Sequence, residues 1–426
     1  MLRMKILFVT QLTHRGGVDT FVSGLLSGWH SRYQTDQLIL RTNAKHPGLM
    51  AHVDELRGVA DVAGLSFKLY TDDLIAPGRW AASLPVKAGL RTVRSIGAWR
   101  GFRALFKRLA PERLVWIAGG YPGGDSLLGA FKAWNDLGLG PQPILNVHNL
   151  AVPLTGMRGR WGSWADQQLA AETGLIVAVS RACAESFRQR PKVWVRTPVT
   201  FVYNGVNPVS GIETRDTARA SIRAQLGLAA SAPLCLMLAT YEPRKGHVFL
   251  FDAFQQVAKV RPDAHLLVCG YGDAADMARV RAECVRCGLN ENVTLWGFRQ
   301  DRDALLLAAD VLTVPSQAFE SFGLVCAEAF SAGLPVVATN IGGLAEVVAD
   351  GAGGYSVPPD DATVFADRIV RLLDSPQLRT AQAVMGRARY ETIFALEKMV
   401  DSYAEIVRSD DPAKAARHTG NGLVNG

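Results

Sequence analysis

The sequence predicts an α/β protein made of two doubly wound, parallel-sheet domains in tandem. Three observations predict it. Apolar, β-branched runs of strand length alternate with helical patterns; the series repeats after a break rich in Gly and Pro near residue 205; and 426 residues suffice for two cores.

In the first half the strand-like runs are Lys5–Val9, Gln37–Leu40, Arg113–Ile117, Pro143–Val147 and Leu175–Val179. The second half repeats them with Leu234–Ala239, His265–Cys269, Val293–Trp296, Val311–Val314 and Pro335–Ala338. Between the halves the chain passes Gly205, Pro208 and Gly211 before a charged helical segment, which places the hinge near residue 205. Phe394, Met399, Val400, Tyr403 and Ile406 have helical spacing, whereas Ser409–Gly426 is small and polar with no apolar period. The expected division is therefore 1–204, 205–388, a C-terminal helix over 389–408 that packs back across the hinge, and a disordered tail over 409–426.

Composition narrows the class. Hydrophobic residues at 48% and charged residues at 20% suit a globular chain and argue against disorder. No apolar run approaches the ~20 residues that span a bilayer, and Ile6–Val9 is too short for a signal-peptide core, so a cytoplasmic protein is expected. The six cysteines, Cys183, Cys235, Cys269, Cys284, Cys287 and Cys326, mostly sit inside apolar runs, as reduced core thiols do. Cys284 and Cys287 have C-x-x-C spacing, but no second pair or nearby His completes a zinc site.

The net charge of +7 permits anionic partners, and no nucleic-acid partner is expected. Residues 79–108 carry Arg79, Lys87, Arg91, Arg94, Arg100, Arg103, Lys107 and Arg108 among Trp80, Trp99, Phe102 and Phe106, with no acid between Asp73 and Glu112. Two readings stand: a surface lying on the anionic inner face of a membrane, or a solvated helix face.

Ligands of open parallel sheets bind at the carboxyl ends of the strands. Ala318–Ala329 follows the run Val311–Val314 and reads as a loop and a helix start containing Gly323, whose unpaired N–H groups suit an anionic diphosphate. Glu320 on the loop and Glu328 further along are suited to accept hydrogen bonds from sugar hydroxyls. Arg244 and Lys245, before Gly246 and just after the first strand of the second domain, supply cations for a departing diphosphate. Thr13-His14-Arg15-Gly16-Gly17 makes a Gly-rich turn at a helix start in the first domain.

These stretches resemble glycosyltransferase family 4, whose members are retaining enzymes of the GT-B fold. The resemblance runs through Gly16-Gly17, Val177–Ser180, Tyr203–Val206, Arg244–Gly246, Gly297-Phe298, Glu320–Glu328, Pro335–Thr339 and Gly342-Gly343. It implies two facing Rossmann-like domains with a cleft between them, and a hexose passed from a nucleotide diphosphate sugar to a glycan or lipid-linked hydroxyl. It implies further that Lys245 and Arg244 meet the diphosphate, Glu320 the donor sugar and Glu328 the ribose. Phe322, Gly323 and Leu324 would offer backbone amides to the donor beside Ser321, Phe298 would lie beside the base, and Gly16 and Gly17 beside the phosphates. His148, in Asn146-Val147-His148-Asn149, resembles the family's active-site histidine. No metal or other cofactor is implied. Many relatives carry an Arg five residues before the Lys, and here that position is Thr240.

Two other motifs are set aside. Gly270–Ala275 satisfies G-x-G-x-x-A but follows the second strand of its domain, not the first. Asp301-Arg302-Asp303 resembles a metal-binding D-x-D yet stands where a helix N-cap is expected. A nucleotide-sugar epimerase of similar fold and a catalytically silent sugar-nucleotide-binding protein are the alternatives to a transferase.

Overall fold

The computed structural model describes residues 3–11, 16–42, 53–64, 84–122, 125–153, 156–209, 214–419 and 422–425. The side chains at 53, 84–94, 125 and 156–161 are not described, and Thr13-His14-Arg15, Arg79-Trp80 and Gly211 lie outside the described residues. The chain forms two compact units: Met1–Asn204 together with Leu396–Gly426, and Gly205–Ala395.

The first unit holds the strands β1 (Lys5–Thr10), β2 (Gln37–Thr42), β3 (Asp61–Gly64), β4 (Arg113–Ala118), β5 (Ile144–Val147), β6 (Leu175–Ala178) and β7 (Val199–Phe201). They form one parallel sheet in the order β3-β2-β1-β4-β5-β6-β7, so the winding reverses between β1 and β4. Parallel strands covered on both faces read as continuous apolar runs, and Ile6 through Val9 are fully buried. The helix Gly17–Arg32 lays Phe21, Leu25 and Trp29 on one face of the sheet. On the other, Trp116 meets Phe102 and Phe131 at ring separations of 5.6 and 6.2 Å.

The described part of the basic stretch belongs to the helix Leu84–Leu109. Phe102 and Phe106 are fully buried beneath it and Trp99 donates to Asp136, while Arg100, Lys107 and Arg108 are exposed. Phe102 and Phe106 therefore serve the core of the unit, and the described bases Arg100, Lys107 and Arg108 face outward.

Two expectations about the C-terminal end are corrected. The second unit runs on to Ala395 through a π-helical segment, Tyr390–Phe394, and the next helix, Leu396–Arg408, buries Met399, Val400, Tyr403 and Val407 in the core of the first unit. The described residues of the expected tail, 409–419 and 422–425, are ordered: Asp411 caps a helix over Pro412–His418, with Ala416 fully buried. Val424 N donates to Val199 O at 2.8 Å, and the Asn425 side chain is bonded to Val199, Trp194 and Thr197. Small side chains let this segment lie close against the unit, so it needs no apolar period to be held.

The second unit holds β8 (Leu234–Leu238), β9 (His265–Cys269), β10 (Val293–Trp296), β11 (Val311–Val314), β12 (Val336–Thr339) and β13 (Gly354–Val357). Its parallel sheet has the order β10-β9-β8-β11-β12-β13 and reverses between β8 and β11. The strands not foreseen, β3, β7 and β13, lie at sheet edges and are three or four residues long, too short to show a period.

The rejected motifs have structural occupations. Gly270 follows β9 where the end of β8 passes, and a Cβ there would stand 1.6 Å from the Ala239 carbonyl oxygen. Asp301 stands at the N-cap of the helix Arg302–Ala308, but its carboxylate pairs with Arg299 and does not cap. Cys284 and Cys287 sit at the end of the helix Ala274–Arg286, not in its middle, and burial pushes both thiols up. Among the described residues no group of three or more His, Cys, Asp or Glu is gathered for a metal ion, and no helix is long and apolar enough to cross a membrane.

Candidate functional site

The strands flanking the reversal of the second unit, β8 and β11, run out into loops that meet. β8 leads into Thr240–Gly246 and β11 into Pro315–Gly323. Such a reversal opens a crevice at the carboxyl ends of a parallel sheet. Gln317 N donates to Arg244 O at 2.8 Å and ties the loops together. Gly246, with φ +79°, ends the turn Pro243–Lys245, and a Cβ on it would lie 1.8 Å from the Pro315 carbonyl oxygen. Only glycine permits both the left-handed backbone and this approach.

The side chains then converge. Lys245 Nζ donates to Glu320 Oε2 at 2.5 Å, and Ser316 Oγ donates to the same oxygen at 3.3 Å. Arg244 NH1 is 3.8 Å from that oxygen, with its guanidinium over the Phe319 ring. The Lys245 and Glu320 side chains are 18% and 15% exposed, so water screens their attraction less than on an open surface.

The main chain under Glu320 is fixed from the other side. Gly343 N donates to Glu320 O at 2.9 Å. A Cβ on Gly342 would stand 2.3 Å from Glu320 O, and one on Gly343 2.2 Å from Ser321 O. The glycine pair thus serves a backbone-to-backbone contact that no side chain can share.

Gly323 is the N-cap of the helix Leu324–Ser331, and the amides of Gly323 and Leu324 make no hydrogen bond among the described residues. Ser321 is buried, and Phe322 is buried against Phe394. One turn into the helix, Glu328 accepts from Arg302 NH1 at 2.6 Å. Burial drives the Glu328 carboxyl above its usual range, with Arg302 pulling the other way. Phe298, just past β10, is 51% exposed.

The first unit presents its own polar groups at the carboxyl end of its sheet. Gly16 and Gly17 are exposed at the start of their helix, where Gly16 N donates to Asp19 Oδ2 at 3.0 Å. A carboxylate of the chain itself thus occupies the first turn, which the sequence reading did not foresee. His148 follows β5, edge-on to Phe21 at 4.3 Å between ring centroids. Asn146 spends both amide hydrogens on Val177 O (3.0 Å) and Tyr403 Oη (2.7 Å). Its Oδ1, 2.7 Å from His148 Nε2, must therefore accept. Burial pushes the His148 imidazole down to about 3, so the ring is neutral with its hydrogen on Nε2 and a lone pair on Nδ1.

The structure thus brings Arg244, Lys245 and Glu320 together at the reversal of the second sheet, with Gly323 and Leu324 following on the Glu320 loop. Glu328 and Phe298 stand on neighbouring elements of the same unit, while His148, Gly16 and Gly17 belong to the first. Sequence reasoning missed Glu242, Ser316, Arg302, Asn146 and Tyr403. Arg302 stood inside the D-x-D motif that was set aside, and none of the others carried a signal of its own. In chemical terms, Lys245 and Arg244 bring two cations to the Glu320 carboxylate, an acceptor, and the helix-start amides that follow on the Glu320 loop are donors.

Comparison with known proteins points the same way. Residues 218–389 match the family described as "Glycosyl transferases group 1". The chain is 34% identical over 187 residues to a phosphatidyl-myo-inositol mannosyltransferase of Mycobacterium leprae, covering 42% of this chain and 49% of that one. It is 32% identical over 200 residues to a GDP-mannose-dependent monoacylated alpha-(1-6)-phosphatidylinositol monomannoside mannosyltransferase of Corynebacterium glutamicum, covering 45% and 51%. The chain thus spans about half the length of the curated relatives it matches. The crystal structure of Anabaena Alr3699/HepE in complex with UDP is similar over 94% of this chain and 99% of that one, at 20% identity and a TM-score of 0.69, which shows the fold. The stretch similar to the group 1 glycosyl transferases, residues 218–389, holds Arg244, Lys245, Phe298, Glu320, Gly323, Leu324 and Glu328.

Proposed function

We propose that the protein is a retaining, metal-independent hexosyltransferase of the family 4 type, taking its sugar from a nucleoside diphosphate donor. The observation that carries this reading is the Lys245–Glu320 contact at 2.5 Å, with Arg244 beside it, where the second sheet reverses. Before donor binds, Glu320 holds Lys245 in place. When a diphosphate arrives it takes over the cations, and Glu320 turns its oxygens to hydroxyls of the sugar.

The bond between the anomeric carbon and the phosphate oxygen breaks as the acceptor hydroxyl attacks from the same face, and the departing phosphate takes the hydroxyl proton. Lys245, Arg244 and the amides of Gly323 and Leu324 stabilise the charge that grows on the leaving group. Arg302 favours the charged form of Glu328, which accepts from a ribose hydroxyl, and Phe298 offers a face to the base. In the first unit, His148 Nδ1 accepts a hydrogen bond from a sugar hydroxyl; a ring that stays neutral does not serve as a general acid.

The relatives' names make GDP-mannose the first donor to try and a glycan or lipid-linked hydroxyl the acceptor class. An anionic leaflet is proposed to meet the outward bases Arg100, Lys107 and Arg108, which flotation with anionic vesicles tests. For the reaction, the protein is incubated with GDP- and UDP-hexoses, with and without acceptors and with EDTA, and nucleotide release and product anomer are read. Transfer with the donor's anomeric configuration in EDTA is expected. An inverted product would remove the mechanism, and conversion of donor without acceptor would make the protein an epimerase.

A further inference from the structure

Arg244 is fastened at one edge and open at the other. Its Nε donates to Glu242 Oε2 at 2.7 Å, whereas NH1 and NH2 make no hydrogen bond among the described residues; Glu320 Oε2 lies 3.8 Å from NH1. The Glu242 carboxylate is held in turn, because Thr240 Oγ1 donates to its other oxygen, Oε1, at 2.8 Å. Burial alone would raise the Glu242 carboxyl, but hydrogen bonds from Arg244 and Thr240 bring it below its usual range, so it is ionised. The backbone carrying all three is pinned: Tyr241 is fully buried with Oη donating to Trp296 O at 2.7 Å, and its carbonyl accepts from Arg279 at 2.7 Å.

We propose that Glu242, seated by Thr240, is a positioning residue that aims the NH1/NH2 edge of Arg244 at the oxyanion held by Lys245. This deepens the functional reading above and rests on it. Thr240, where an arginine was expected, thereby supplies no charge; it orders the carboxylate that orders Arg244. The chain keeps two cations at the diphosphate with one of them moved along the turn. A guanidinium locked at Nε loses little rotamer freedom when its remaining edge grips two phosphate oxygens.

Charge and orientation make opposite forecasts for Glu242. Removing an anion beside an anion site strengthens diphosphate binding by electrostatics alone, whereas loss of the anchor weakens it. Calorimetric titration with UDP and with GDP separates them, using the full chain and the variants Glu242→Gln, Thr240→Val, Thr240→Ser and Arg244→Ala, each checked by thermal melt. Arg244→Ala and Glu242→Gln should each weaken the better nucleotide roughly tenfold, and Thr240→Val roughly threefold or more. Thr240→Ser, which keeps the hydroxyl, should bind like the unaltered protein. Tighter or unchanged binding by Glu242→Gln and Thr240→Val, with Arg244→Ala weakened, would overturn the positioning role and leave the nucleotide site standing. Unchanged binding by Arg244→Ala would overturn it as well, and failure of the unaltered protein to bind either nucleotide would overturn both readings together.

Discussion

Lys245 and Glu320, 75 residues apart in sequence, share a hydrogen bond of 2.5 Å across two loops of one sheet. Lys245→Ala leaves Glu320 without its nearest cation and the diphosphate without a stabilising charge. Turnover should fall roughly 10²–10³-fold, the scale of removing one stabilising donor from a transition state. The melting temperature should move little, since both side chains lie at the crevice and not in the core. Steady-state rates with saturating donor check the first point and a thermal melt the second; near-normal turnover would refute the role.

Gly343→Ala would put a methyl group 2.2 Å from Ser321 O and 2.9 Å from Phe322 Cα, both backbone atoms that cannot swing aside. We expect a loss of about 1–3 kcal/mol in stability and weaker donor binding, because the loop carrying Glu320 must move. Gly297→Ala is the control: its Cβ would meet nothing within 4 Å. Equal melts and equal nucleotide affinities for the two variants would contradict this account.

His148 has a folded-state pKa depressed to about 3 by burial, against about 6.5 when unfolded. The unfolded chain therefore binds more protons between these values, and stability rises with pH across that window. Its contribution is fully present above about pH 6.5 and is lost as pH falls toward 3. Relative to His148→Gln, the unaltered protein should lose about 1–2 kcal/mol between pH 7 and pH 5. Denaturant melts at the two pH values measure the difference, and nitrogen-15 shifts of the ring should show the Nε2–H form unchanged from pH 5 to 8.

Arg302 is the principal partner pulling the Glu328 carboxyl down against burial. Arg302→Met should push that carboxyl higher still. If Glu328 binds the ribose as a carboxylate, the rise of nucleotide affinity with pH should come at higher pH in the variant than in the unaltered protein. Parallel pH profiles for the two would show that Glu328 does not act through its charge.

The core strands were legible because parallel strands buried on both faces, such as Ile6–Val9, must be apolar throughout. Thr240–Gly246 and Ala318–Leu324 were legible because residues of distinct chemistry stand at strand ends. Long-range partners were not: nothing near Asn146 announces Tyr403, 257 residues away, and nothing in Gly342-Gly343 says which backbone approaches it. The final residues misled because small side chains such as Ala416 bury well without any apolar rhythm.

The helix Leu396–Arg408 closes the first core by seating Leu396 and Val400 over Gly24 and Gly28. The Gly205–Ala395 unit is therefore an insertion in a discontinuous domain. On the ribosome the insert has all of its own residues before its host does, so the domain begun first is the one completed last. A fragment cut at residue 204 would keep its whole sheet yet expose the groove along Gly24 and Gly28, and an excised first domain becomes self-sufficient only with the segment from Leu396 onward joined back to it.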